Sequence, residues 1–254
     1  MKKLVRGIVE FRRKRDERHR DTFARLALGQ SPDCLFISCS DSRVAVNVFA
    51  STDPGDLFVI RNVGNMVPPA ASSGISISDV SEAAAIEFAL TQLTVTHIIV
   101  CGHSECGAMA AAYKGREKVL SPNLRAWLGL AEPALAKLKE ARFFAPELAP
   151  HNRLSQLNVL EQILHLRTYP AVRERLERGE LTLHGWWFDI AKADVYAYEE
   201  VSAGFVIIDE QEAERILRKF NDWPSSGWLG TGPRPGLRSW LARLPAWSRF
   251  DRRS

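Results

Sequence analysis

The four cysteines of this chain, Cys34, Cys39, Cys101 and Cys106, fall in two groups, and each group carries further residues able to do metal or acid–base chemistry. The first group ends in Cys39-Ser-Asp-Ser-Arg43 and the second contains His103-Ser-Glu-Cys106. Two soft thiolates and one imidazole suit zinc. Three protein ligands with an open fourth position are the arrangement of catalytic zinc, whereas structural zinc is closed by four, and no fourth Cys or His stands nearby. Cysteine is among the most buried residue types, so a His-x-x-Cys pair alone is more often packing than ligation. What favours ligation is the pairing with Asp41 and Arg43, two charged residues at the end of an apolar run, where charge needs a partner. From the residues alone the reading is a zinc lyase or hydrolase. Cys34 and Cys101 lie within apolar runs and read as core.

Positioning such a site requires strands that deliver residues to one edge. Nearly continuous apolar runs at 34–39, 57–61, 96–101 and 181–188 read as strands buried on both faces. Helical patterns fill 81–93, 106–113, 124–139, 153–166 and 171–178, with Asp79 and Glu82 as a capping signal for the first. Segment 189–208 adds a strand or hairpin. Strand alternating with helix predicts an α/β fold, a mainly parallel central sheet flanked by helices, whose ligands bind at the carboxyl ends of the strands. Cys39 and the His103/Cys106 pair both fall at that edge.

Composition bounds the rest. A chain of 254 residues, 46% hydrophobic and 25% charged, builds a core without disulfides. The grouped cysteines therefore point to a reducing compartment, and a cytoplasmic location is expected. A net charge of +4 with no basic stripe interleaved with aromatics argues against nucleic acid as a partner. No apolar run approaches the roughly 20 residues of a membrane span. Residues 1–20 space Leu4, Val5, Ile8 and Phe11 along one helical face, without the apolar core of a signal peptide. Near Gln211 the composition changes: 211–254 holds four of the seven tryptophans and nine Lys/Arg against four Asp/Glu. The chain divides into a catalytic domain, 1–210, and a basic tail, 211–254, with a short amphipathic helix expected at 237–244.

Taken together, Cys39-Ser-Asp-Ser-Arg43, Gly55-Asp-Leu-Phe-Val-Ile-Arg-Asn-Val-Gly-Asn65 and Cys101-Gly-His-Ser-Glu-Cys-Gly-Ala-Met109 strongly resemble the β-class carbonic anhydrases. Asn158-Val-Leu-Glu-Gln162 and Leu183-His-Gly-Trp-Trp187 extend the resemblance from about Phe23 to Val201. It implies the fold of that family with an amino-terminal helical arm, and one Zn2+ per subunit on Cys39, His103 and Cys106. The implied reaction is hydration of carbon dioxide to bicarbonate, with activity rising toward alkaline pH because two thiolates make the metal's water less acidic. Asp41 is implied to orient the attacking oxygen, and Arg43 to keep Asp41 off the metal. Gln30 corresponds to the donor to substrate oxygen, Gly102 to the backbone where substrate rests, and Phe58, Val63 and Phe88 to an apolar wall.

Part of that wall comes from a neighbouring subunit in the family, so a homodimer or dimer-based higher oligomer is expected. The order of motifs and the tail look most like bacterial and cyanobacterial members, which adds a carboxysome lumen as a location and a carboxysome shell or scaffold protein as a partner of the tail. Family members regulated by bicarbonate tend to carry tryptophan and glycine where this chain has Phe36 and Ser38; Arg61 of that pocket is present. An open site without that regulation is expected. His97, His165 and His184 are expected to be structural, and His19 and His151 to face solvent. Competing readings are a related zinc hydrolase of carbon disulfide or carbonyl sulfide, and a silent zinc-bearing scaffold acting through its tail.

Overall fold

The computed structural model describes residues 1–140 and 144–221. Six strands form one sheet: β1 (Cys34–Cys39), β2 (Leu57–Asn62), β3 (His97–His103), β4 (Thr182–Asp189), β5 (Asp194–Glu199) and β6 (Gly204–Ile207). Their order is β2-β1-β3-β4-β5-β6. The first four are parallel, and β5 and β6 add antiparallel to one edge as a hairpin. The expected mainly parallel α/β sheet is therefore present, and the 189–208 segment supplies two strands.

The helices are α1 (Lys2–Lys14), α2 (Glu17–Leu26), α3 (Val46–Phe49), α4 (Val80–Thr91), α5 (Gly107–Lys114), α6 (Pro122–Trp127), α7 (Glu132–Glu140), α8 (Pro150–Leu166), α9 (Pro170–Glu177) and α10 (Glu210–Asn221). One face of the sheet packs Leu35, Ile37, Ile98 and Val100 against α4, α8 and α9. The other packs Phe36, Cys101 and Phe188 around Val44, Val46 and Phe49. Cys34 and Cys101 are core residues, as expected, and burial pushes both thiols up, Cys34 to about 12.

Three local differences from the sequence reading have physical causes. The helix expected at 124–139 breaks into α6, a 3₁₀ turn at Leu128–Ala131, and α7. Gly129 weakens the interior, and Pro133 lacks the N–H an unbroken helix would need, but is tolerated in a first turn. Asp79 caps α4 by accepting from the Ser81 N–H at 2.7 Å, but Glu82 does not complete a capping box. Its carboxylate is buried instead and accepts from Asn62 Nδ2 at 3.3 Å. Finally, β3 runs two residues further than expected, so His103 closes the strand itself.

The amino-terminal segment is helical, yet α1 has no buried residue, and Leu4, Val5, Ile8 and Phe11 are all exposed in the single chain. At the other end, α10 crosses the compositional change at Gln211, with Glu212 buried. The amphipathic helix expected at 237–244 lies outside the described residues. Among the described residues no helix is long and apolar enough to cross a membrane.

Candidate metal centre

Parallel pairing of β1 with β3 places Cys39 and His103 at one sheet edge. After His103 the chain turns sharply: Ser104 N–H donates to Phe188 O at 2.9 Å, and Glu105 takes a left-handed φ of 54°. That turn makes Cys106 the N-cap of α5. Ligand atoms of Cys39, His103 and Cys106 lie within 4.8 Å of one another, and all three residues are buried.

The histidine is already oriented. Its Nδ1 meets Ser104 O at 2.8 Å, which assigns the Nδ1–H donor tautomer and leaves the Nε2 lone pair facing inward. Nε2 is buried without a hydrogen-bond partner. An orphaned nitrogen of this kind is costly unless a ligand takes its lone pair, and a cation beside two thiols would. The donor set, two sulfurs and one imidazole nitrogen, fits zinc with one position left open.

Charge is prearranged as well. A hydrogen bond from the Cys106 thiol, opposed by burial and assisted by the Gly64 N–H, holds the Cys39 thiol well below its ordinary range. Hydrogen bonding to Cys39 and burial push Cys106 up. The two sulfurs are near enough to share a proton, and a backbone donor is directed at Cys39. The Gly64 N–H reaches Cys39 Sγ at 3.3 Å. Gly64 has φ 85°, and a Cβ there would come within 3.1 Å of Ala108 and 3.2 Å of Met109 and Met66, so only glycine brings its backbone this close.

Asp41 stands beside the triad, its Oδ2 4.0 Å from His103 Nε2. Both carboxylate oxygens are engaged by Arg43: Nε donates to Oδ1 at 2.9 Å, Nη2 to Oδ2 at 2.7 Å, and the Arg43 N–H to Oδ1 at 3.0 Å. These hydrogen bonds hold the Asp41 carboxyl far below the usual carboxylate range against the opposing effect of burial. Arg43 Nη2 also donates to Glu105 O at 2.9 Å, linking Asp41 to the turn between the other two candidate ligands.

The remaining expected site residues divide by position. Val63, 44% exposed, flanks Gly64 beside the Cys39 sulfur. Gly102 is buried against α8, where a Cβ would come within 2.7 Å of Val159. The structure does not bring Gln30, Phe58 and Phe88 to the triad of their own chain. Phe58 pairs in register with Leu35, four residues before Cys39, so it sits about 13 Å back along the strands. Phe88 stacks on Phe58 with ring centroids 5.8 Å apart, and Gln30 is exposed on the segment entering β1.

Several supporting residues were given no part in the metal centre by the sequence reading, which named Arg61 only as part of a bicarbonate pocket. Arg61 donates to Cys39 O at 2.7 and 3.0 Å and to Asp41 O at 2.7 Å, tying down the end of β1. From α8, Asn152 accepts from the Glu105 N–H at 2.7 Å, Ser155 donates to His103 O at 2.8 Å, and Asn158 donates to Gly64 O at 3.1 Å. The readable signal was a line of polar residues spaced by three within a helix otherwise fit for a core. Among the histidines, His97 and His184 meet at 3.2 Å across β3 and β4, and His165 contacts Val67 O at 2.8 Å. His151 is less free than expected: it meets Glu105 Oε2 at 3.1 Å. His19 is exposed; its N–H donates at 2.8 Å to Oδ1 of Asp16, the N-cap of α2, and its Nδ1 meets the same oxygen at 2.6 Å.

A sequence signature of the carbonic anhydrase family matches residues 34–195. The chain belongs to the β-class carbonic anhydrases. A carbonic anhydrase of Synechocystis sp. is 42% identical over 215 residues, covering 81% of this chain and 74% of that protein. One of Pseudomonas aeruginosa is 39% identical over 217 residues, covering 85% of this chain and 96% of that protein. Among solved structures, the β-carbonic anhydrase CcaA superposes with a TM-score of 0.73 at 39% identity, covering 82% of this chain and 98% of the other. A tetrameric β-carbonic anhydrase of Sordaria macrospora gives 0.63 at 31% identity, covering 77% and 92%. As a β-class carbonic anhydrase, this chain is an enzyme.

Proposed function

We propose that this carbonic anhydrase hydrates carbon dioxide to bicarbonate with a single Zn2+ held by Cys39, His103 and Cys106. The observation that carries the reading is the buried Nε2 of His103, unpartnered and within 4.8 Å of two cysteine sulfurs. When bound, zinc supplies Lewis acidity that lowers the pKa of a water and makes it a nucleophile near neutral pH. The protein's own residues do the rest. Asp41 accepts a hydrogen bond from the attacking water at Oδ2 and aims a lone pair at the carbon. Because Arg43 keeps that carboxyl so acidic, Asp41 serves as an acceptor and does not store the released proton, which leaves to solvent. Arg43 engages both Asp41 oxygens, which supports an open site with the carboxylate held away from the metal. A C–O bond forms between water and carbon dioxide, and bicarbonate and one proton are released.

The substrate is a nonpolar gas, and Val63 offers an apolar surface beside the thiolates. Gln30, Phe58 and Phe88 are proposed to complete the pocket of a second copy, with the Gln30 amide donating to a substrate oxygen. Two observations support assembly: these three residues lie away from their own triad, and the apolar face of α1 stays exposed in the single chain, only Phe11 meeting other rings, those of His19 and Phe23. The Sordaria macrospora relative is tetrameric. The experiment is metal analysis with hydration assays on Cys39→Ser and Cys106→Ser. Bound zinc and hydration should fall together, whereas full zinc content in both variants would place the metal elsewhere.

A further inference from the structure

Asn158 belongs to a motif that the reaction above leaves without a task, yet it is completely buried and donates to Gly64 O at 3.1 Å. Gly64 lies between two peptide groups. The following peptide carries the carbonyl that Asn158 holds. The preceding peptide carries the N–H that donates to Cys39 Sγ at 3.3 Å, and its own carbonyl, Val63 O, accepts from Trp127 Nε1 at 2.7 Å. Within the same turn Asn62 accepts from the Met66 N–H at 2.7 Å and donates to Met66 O at 2.8 Å. The turn is fixed from both ends, and its free N–H faces sulfur.

We propose that Asn158 and Trp127 are positioning residues that clamp the two peptides around Gly64, so that the Gly64 N–H bears on the Cys39 thiolate. The inference rests on the proposed role of Cys39 as a metal ligand. A peptide whose carbonyl accepts a hydrogen bond is polarised, which strengthens its N–H as a donor. An N–H on a thiolate withdraws electron density from the sulfur and fixes its direction. Partners of metal ligands are worth 10–100-fold in metal affinity or activity when removed. Asn158 is itself held by Gln162 Nε2, which donates to its Oδ1 at 2.9 Å, while Gln162 Oε1 accepts from the Val67 N–H at 2.8 Å. The Asn158 arm of the clamp is thus anchored in α8, and the Trp127 arm in α6, not in the turn they restrain. Asn158 has the larger share, because its bond to Gly64 is buried and water cannot replace it.

The test uses the full-length protein loaded with cobalt(II), whose thiolate-to-metal charge-transfer bands report the sulfur donors, and the zinc-loaded protein for extraction by a chelator. The variants are Asn158→Ala and Trp127→Phe, with Trp186→Phe, packed against Phe36 on the other face of the sheet, as control. Both clamp variants should move the charge-transfer band to longer wavelength and speed zinc extraction, by roughly tenfold for Asn158→Ala and less for Trp127→Phe. Trp186→Phe should do neither. A variant with a lowered melting temperature is still decided by its band, which reads sulfur in the folded fraction alone. Band positions and extraction rates equal to wild type in both clamp variants would overturn the proposal. Absence of thiolate bands in cobalt-loaded wild type would instead overturn the metal assignment beneath it.

Discussion

Arg43 is the residue whose loss separates two jobs that sit side by side. Its side-chain hydrogen bonds go to both oxygens of Asp41 and to the Glu105 carbonyl, not to the candidate ligands. Arg43→Gln should keep zinc content while lowering kcat/KM for hydration roughly 10–100-fold, the range expected when a group that orients a reacting residue is removed. Stopped-flow hydration with parallel metal analysis checks it. Glu82 gives a prediction in pH. Burial, with Asp79 nearby, outweighs the hydrogen bonds from the Glu82 N–H and the Asn62 amide and raises its pKa from the ordinary 4.5, and Tyr169 faces the same region. A carboxyl raised on folding binds protons more readily in the native state than in the unfolded one. Stability therefore falls as pH rises through the window above 4.5. Glu82→Gln keeps the acceptor for Asn62 without the charge, so its melting temperature should exceed wild type at pH 7–8 and converge with it near the ordinary carboxylate range of about 4. The same gap at both pH values would show that Glu82 is not titrating there.

At the scale of elements, much of the candidate centre was legible because strands announce themselves by apolar continuity and chemistry collects at their carboxyl ends. Cys39 at the end of β1 could be placed from pattern alone, and His103 was placed just past the expected end of β3, at the edge that it closes. What pattern hid was the role of α8. Buried on nearly every side, it shows no single apolar face, and its polar residues are satisfied by loops far away in sequence, which periodicity cannot see. Asn152, Ser155 and Asn158 reach the loops of all three candidate ligands from one helix. Close approach of α8 to β3 depends on Gly102, where any Cβ meets Val159 at 2.7 Å and Ser155 Oγ at 3.1 Å. Gly102→Ala should cost about 1–3 kcal/mol by overpacking, read as a lowered melting temperature. Because Ser155 holds His103 O, faster zinc loss to a chelator should accompany it. The broken helix before α8 was beyond reach for a different reason: Gly129 and Pro133 each tolerate a helix end but do not dictate one.

At the scale of the molecule, the expected residues that fail to gather are as informative as those that do. Gln30, Phe58 and Phe88 were legible only by resemblance, since nothing in one chain's spacing says that a residue serves another copy. If the pocket is shared, a Cys106→Ser chain and a Gln30→Ala chain, each poorly active alone, should regain activity when co-assembled. The mixed assembly pairs an intact triad with an intact Gln30. No gain beyond the sum of the two would place Gln30 outside the site. The tail 211–254 is proposed as a docking element; because α10 crosses its start with Glu212 buried, truncation after Asn221 should leave hydration unchanged and remove only the partner. The most direct test of the whole account is stopped-flow carbon dioxide hydration by the full chain, compared as purified, after chelation, and after return of one equivalent of zinc. The account predicts fast hydration that disappears with the metal, returns with it, and rises toward alkaline pH. A zinc-loaded assembly that leaves the uncatalysed rate unchanged from about pH 6.5 to 9, the range around the pKa of a zinc-activated water, would contradict it.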